Sequence, residues 1–480
     1  MPLRTVQEYV QSLRDGRTVF FRGERVPDVT RHPVISAAVQ HASIDYQLAD
    51  DPAHRDLAVV RDDHGEYSRY YQIARNADDL LKRSALIEQA TAAGGTLVVL
   101  IKEIGSDALF ALMRVASALD AKYGGAYAHR VEEFYRHCRA NDLAVAVAQT
   151  DVKGDRSLGP SAQADPDLYV RVVDRRQDGI VVRGAKAHTS VSTNANELIV
   201  LPTRAMGETD RDYAVSFAIP IATPGLTLLA SAYDSAAPLS SPVEHPISAR
   251  HKMMETTTVF EDVFVPWERV FLAGEYEFAG PLALAFVEHH RFTAISYKLP
   301  LVDALVGAAM LMADLNGIAK AGHVREKLVQ LISYAETLRG LTRYAAIQGK
   351  PRELGMVVPD PLYVNMAKYH FAHGYHEAVR HVQDMAGGAL VTGPGAEDLA
   401  APETKQYYER FYAGRNGVGG EERLRALSLV RDLVASEFAT YQEVLAVHAE
   451  GSLEAEKLML FRSYDSRPAL DFVRRLAGLS

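Results

Sequence analysis

The hydrophobic period of this chain changes twice, and nothing else in the sequence restricts its fold as strongly. Up to about residue 140, segments such as "RTVQEYVQSLRD", "ADDLLKRSALIEQATAA", "DALFALMRVASALDAKYG" and "YAHRVEEFYRHCRAND" carry apolar residues three to four apart, the spacing of one helix face. From Leu143 the stretches shorten and fill with Val, Ile and Thr, as in "LAVAVAQTD", "GIVVRGAKAHTS", "YAVSFAIPI" and "TTTVFEDVFVP", with Gly, Pro and Asp between them. After about residue 278 the helical period returns in long segments that suit a bundle, among them "LALAFVEHHRFTAISYK", "LVDALVGAAMLMADLNGIAKA" and "PLYVNMAKYHFAHGYHEAVRHVQDMAGGAL". This predicts an α+β protein with a helical domain over 1–140, an antiparallel β domain over 141–277 and a C-terminal helix bundle over 278–480.

Composition excludes several classes. The net charge is −9, and no dense Lys/Arg block with interleaved aromatics occurs, so a nucleic-acid partner is not expected. The first residues form an amphipathic polar segment with no apolar h-region. "LVDALVGAAMLMA" is too short to span a bilayer and is interrupted by Asp303. A cytoplasmic protein with no membrane partner is expected. The single cysteine, Cys138, can form no internal disulfide and cannot by itself hold an iron-sulfur cluster, which takes several thiolates. His137 is its neighbour on a helix and points elsewhere, so Cys138 reads as structural.

Two segments carry chemistry. The strand ending at Ala148 empties into a turn with Thr150, Lys153, Asp155 and Arg156, and the strand "GIVVRGAKAHTS" ends in His188 and Thr189. Strand-end loops are where sites are built. These residue types suit either a solvated charged turn or the polar edge of a flavin, which needs donors where the reduced ring is negative. In "FVEHHRFTAISYKLP", His289 and His290 precede Tyr297 and Lys298 by about two helical turns; this pattern fits packed core residues, a ligand set or the wall of a cofactor pocket. His370, His373 and His376 do not share one face and lack an HExxH pattern, so no metal site is expected. Gly387-Gly388 after a long helix reads first as a C-cap.

"TDVKGDRSLGPSAQADPDLYVRVV", "VFEDVFVPWERVFLAGEYEFAG", "QDMAGGALVTGP", "HAEGSLEAEK" and the early "FRGERVPDVTRHP" together resemble the 4-hydroxybutyryl-CoA dehydratase and 4-hydroxyphenylacetate 3-hydroxylase family. The resemblance covers almost the whole chain and implies an acyl-CoA dehydrogenase-like fold, FAD as cofactor and a homotetramer. It also implies that Thr150, Lys153, Asp155, Arg156, His188 and Thr189 meet the flavin, and that Gly387 and Gly388 approach the FAD of a neighbouring subunit.

In the dehydratase branch a cluster-ligating cysteine follows the histidine by seven residues; here His290 is matched and Tyr297 stands in the cysteine's place, followed by Lys298. The other two cluster cysteines precede a stretch like Gly105-Ser106-Asp107-Ala108, where this chain has none. The dehydratase's additional tyrosine falls at Ala294, whereas Glu255 is matched. The hydroxylase branch's phenol-binding Arg and Tyr fall near Ile104 and Ala108. The expectation is therefore FAD without an iron-sulfur cluster, with His290, Tyr297, Lys298 and Glu255 as catalytic candidates. Two activities are in view: the oxygenase component of a two-component flavin monooxygenase served by a partner flavin reductase, or a cluster-free flavoenzyme acting on an acyl-CoA or carrier thioester. A non-catalytic flavin-binding scaffold is the third reading, and it leaves His290 and the polar turn without a purpose.

Overall fold

The computed structural model describes residues 3–63, 65–234 and 241–479. Its first lobe is built on the helices Ala77–Ala93, Glu103–Tyr123 and Tyr127–Ala140. The first of these starts where the Asn76 side chain accepts from Asp79 N, satisfying one of the open N–H groups of a helix end.

Two β hairpins lie inside this stretch, which the sequence reads as helical. Thr18–Phe21 and Glu24–Val26 pair across a two-residue turn, with Arg22 at φ 52° and Gly23 at φ 83°. Two successive positive φ values define the primed turn that matches strand twist. The second hairpin pairs Val59–Asp62 with Gly65–Ser68.

The first hairpin continues the middle sheet. A six-stranded sheet runs Glu24–Val26, Thr18–Phe21, Leu226–Ser231, Glu255–Pro266, Gly179–Lys186, Arg171–Arg175. A four-stranded sheet runs Val270–Ala273, Val215–Pro220, Glu197–Val200, Val145–Ala148. Most pairings are antiparallel as expected. Thr18–Phe21 with Leu226–Ser231 and Val145–Ala148 with Glu197–Val200 are parallel, because in each case the chain returns through a long connection and not a tight turn.

The C-terminal lobe is organised around one helix, Ala279–Leu315, which continues through Pro300 where the sequence suggests two segments. It packs against Glu103–Tyr123, Pro361–Ala386, Gly322–Ile347 and Ala77–Ala93, so most of its circumference is covered, with Leu284, Met310 and Leu311 left exposed. This explains its weak amphipathicity. By length and composition the Tyr276–Leu315 region could cross a membrane, but 56% of its most apolar window is buried inside the protein, as in a core helix. Ion pairs Arg343–Glu88 and Arg114–Glu288 tie the first lobe to the bundle. The start of Glu255–Pro266 meets the first half of Glu437–His448, where Tyr441 bonds Glu255.

Candidate active site

The long helix presents the adjacent His289 and His290 in two directions. His289 is largely covered, its ring 5.7 Å from that of Phe110, and burial with the nearby Arg114 charge drives its pKa down to about 3. His290 stacks on Phe286, ring centroids 5.0 Å apart, and its Nδ1 lies 3.1 Å from Asp107 Oδ2 on the first lobe.

Two turns further on, the Tyr297 hydroxyl donates to Glu450 Oε1, and Lys298 Nζ lies 2.9 Å from Glu450 Oε2 and 3.3 Å from the Tyr297 oxygen. Glu450 sits at the corner between Glu437–His448 and Leu453–Ser463 with φ 57°, a left-handed backbone uncommon for a residue with a side chain. Arg291 Nε holds its carbonyl at 2.9 Å. A second ammonium, Lys368, lies 3.6 Å from the same carboxylate. Burial raises the pKa of Glu450, but Lys298 and Lys368 outweigh it and bring the carboxyl down to about 2. Burial, opposed by Glu450 and reinforced by Lys368, lowers Lys298 to about 8. Burial and Glu450 push the Tyr297 phenol well above its ordinary range, so it stays protonated and donates.

Glu255 opens its strand on the facing side. Ser190 Oγ is 2.9 Å from both carboxylate oxygens, and the Tyr441 hydroxyl donates at 2.8 Å. Glu255 keeps some solvent access toward the cleft yet lies deep among protein atoms. Burial, only partly offset by these two neutral donors, raises its pKa to about 7. Its charge is felt at both Tyr441 and Tyr297, and that of His290 at Glu450, so the four catalytic candidates of the sequence share one electrostatic environment. One carboxylate is held ionised and the other is poised to exchange a proton near neutrality, the division of labour that acid/base chemistry uses.

The strand-end residues line the neighbouring end of the sheet. The Thr150 carbonyl accepts from Ala187 N at 2.9 Å, which joins the two loops. Lys153 and Arg156 are exposed, and neither forms an ion pair among the described residues. Asp155 binds Ser157 N and Oγ and shapes the turn. His188 takes a left-handed backbone, φ 53°, and burial with the Lys153 charge lowers its pKa. Thr189 is fully buried; its N–H bonds Thr256 O and its hydroxyl accepts from Thr258 at 3.0 Å. Two exposed cations, a hydroxyl and an imidazole at the end of the sheet are a donor set that fits a flavin's electron-rich edge and phosphates; Thr189 is the member already engaged within the sheet.

Gly387, at φ 75°, caps Pro361–Ala386, and a Cβ at Gly387 or Gly388 would meet nothing within 4 Å. Lys368 is on the same helix 19 residues earlier, about 28 Å away at helical rise. The two glycines therefore do not join the Glu255–His290 cluster of their own subunit. Cys138 is buried, and its thiol pKa is raised well above the ordinary value by that burial. His370 Nε2 contacts Tyr334 O at 3.1 Å, and His373 stacks on Tyr369. A cavity of about 880 Å³ lies apart from this chemistry, between Glu103–Tyr123, Tyr127–Ala140 and the second hairpin.

Glu450, Tyr441, Ser190, Lys368 and Asp107 escape the sequence reading of the site. The Glu450-Gly451 pair at a helix end, in "HAEGSLEAEK", was the one local signal, since such corners take positive φ.

A helical lobe, a pair of sheets and a helix bundle in this order give the chain an acyl-CoA dehydrogenase-like fold. The solved butyryl-CoA dehydrogenase of Megasphaera elsdenii superposes with a TM-score of 0.51 at 14% identity, covering 96% of this chain and 99% of that one. The chain belongs to the 4-hydroxyphenylacetate 3-hydroxylase family, whose N-terminal model matches residues 5–272 and whose C-terminal model matches 279–478. It is 34% identical to the 4-hydroxybutyryl-CoA dehydratase/vinylacetyl-CoA-Delta-isomerase of Clostridium aminobutyricum, over 99% of this chain and 100% of that protein. The oxygenase component of 4-hydroxyphenylacetate 3-monooxygenase, solved in complex with FAD, matches with a TM-score of 0.90 and 28% identity over 98% of both chains.

Proposed function

We propose that this protein is an FAD-dependent oxidoreductase, the oxygenase component of a two-component flavin monooxygenase. It takes reduced FAD from a partner reductase in the cytoplasm and oxygenates a small organic molecule. The observation that carries this reading is the Tyr297 phenol, fastened to Glu450 and Lys298 where the dehydratase branch would place a cluster thiolate. One remote, buried cysteine cannot supply the several thiolates that an iron-sulfur cluster takes.

Bound FAD supplies the redox and oxygen chemistry; the protein supplies binding, orientation and proton control. Lys153 and Arg156 meet the cofactor's negative charge. Glu255, ionised and held by Ser190 and Tyr441, accepts a proton from a substrate carbon and is neutral once it has done so, the electron pair of the broken C–H bond staying with the substrate. His290 and Tyr297 orient the substrate oxygen from the helix side. Gly387 and Gly388 approach a neighbour's cofactor in a homotetramer, a dimer of dimers with paired sites.

A thioester reading is favoured by one observation, the near-neutral Glu255, which is suited to removing a proton from carbon beside a thioester carbonyl, together with the 34% identity to the dehydratase/isomerase. Mixing the reduced holoenzyme with oxygen separates the two. A transient in flavin absorbance before full reoxidation, with oxygenated product from a phenol panel, is expected. Bleaching of the oxidised flavin by an acyl-CoA under nitrogen, with no such transient, replaces the first reading with the second.

A further inference from the structure

Asp107 is a charged group that this chemistry leaves unused. It is 1% exposed on the Glu103–Tyr123 helix, with Oδ1 accepting from Arg83 at 2.8 Å and Oδ2 facing His290 Nδ1 at 3.1 Å. Arg83 is itself fixed: it donates to Tyr70 O at 2.8 Å, Ser106 Oγ at 2.9 Å and Glu103 O at 3.2 Å, and lies over the Tyr70 and Phe110 rings.

A carboxylate paired with a guanidinium only accepts, so the hydrogen in the contact with His290 belongs to Nδ1. In the neutral imidazole the lone pair is then on Nε2. The Phe286 ring, stacked at 15° to that of His290, keeps the imidazole plane from turning.

We propose that Asp107, anchored by Arg83, is the positioning residue for His290: it fixes the Nδ1–H tautomer and turns Nε2 to the cleft as a proton acceptor. The inference rests on the reading that His290 meets substrate. In the step it serves, a substrate O–H bond breaks as the Nε2–H bond forms, and the electron pair stays on the substrate oxygen. Asp107 on one side and Glu450 on the other stabilise the imidazolium, which later returns its proton to product or solvent. The arrangement joins a first-lobe carboxylate to a bundle histidine, so docking of the lobes sets which nitrogen is basic.

The test is nitrogen-15 NMR of full-length holoenzyme labelled at histidine, recorded across pH until the neutral imidazole is reached, with His290→Gln identifying the resonance. The expected wild-type pattern is hydrogen on Nδ1 and none on Nε2. In Asp107→Asn, Arg83 retains the amide oxygen and the amide NH2 faces Nδ1, so the hydrogen moves to Nε2. Turnover falls by up to about tenfold, no more than in His290→Ala, with FAD still bound, and Asp107→Asn combined with His290→Ala is no slower than His290→Ala alone, the non-additivity of residues acting as a unit. Hydrogen on Nε2 in the wild type, or additive losses in the double variant, overturns the proposal; the wild-type spectrum decides even if Asp107→Asn does not fold. Should the tautomer be as expected while His290→Ala leaves turnover intact, the placement of substrate at His290 is what fails.

Discussion

Glu255 and Glu450 are the same residue type facing one cleft, and their surroundings drive them in opposite directions. Glu255 receives two neutral hydroxyl donors, which do not offset its burial, and its pKa rises to about 7. Glu450 faces two ammonium groups, which more than offset burial, and its pKa falls to about 2. Hydrogen bonds from neutral groups shape a carboxylate; full charges decide whether it is ionised. A site that needs both a fixed charge and a mobile proton can therefore use a single side chain twice.

The comparison breaks most severely at the ionised pole. Lys298→Met leaves a buried carboxylate with one ammonium at longer range, and a loss of about 3 kcal/mol is expected from the urea midpoint, in the range for breaking a buried pair. A loss below 1 kcal/mol would mean that Lys368 alone holds Glu450.

The pH dependence of stability should differ between the poles. Glu255 has a native pKa above its ordinary 4.5, so its contribution is fully present below pH 4.5 and is lost as pH rises to about 7. Glu450 is the reverse: its contribution is present above pH 4.5 and lost as pH falls toward about 2. Melting curves of Glu255→Gln should lack the first decline, worth about 3 kcal/mol, and keep the second. If Glu255→Gln and the wild type melt in parallel from pH 4.5 to 7, the two carboxylates are not distinct.

Turnover gives the next effect. Glu255→Gln should cost about 100-fold in single-turnover rate, about 2.7 kcal/mol, with FAD retained. On the helix side, Tyr297→Phe or His290→Ala should cost about tenfold, near 1.4 kcal/mol, while His289→Ala changes the rate little. The reverse order for the two histidines would put the wrong face of the helix in the cleft. The smallest expected effect is Tyr441→Phe: removing a donor that lowers the pKa of Glu255 should raise its titration midpoint by less than about one unit, read from the carboxyl infrared band. A downward move would show that Tyr441 acts by excluding water.

How much of this is legible in the sequence follows from distance along the chain. Helix and strand periods are local, so the helical, β and helical succession can be read directly. The strand Thr18–Phe21 cannot, because its parallel partner Leu226–Ser231 is some two hundred residues away and only that pairing makes so short a segment a strand. Pro300 suggests a break, yet packing against four other helices keeps one helix. His290, Tyr297 and Lys298 lie within one segment and Glu255 is carried by resemblance. Their partners Asp107, Tyr441 and Glu450 are more than 150 residues from the groups they bind, beyond any spacing rule.

Glu450 also bears on biosynthesis. Lys298 and Lys368 leave the ribosome long before the carboxylate that separates them, and until it arrives two ammonium groups repel across an apolar bundle. The two ammonium groups acquire their counter-charge only in a nearly finished chain. A truncated product would hold the Thr150–Arg156 turn without the carboxylate that balances the two ammonium groups.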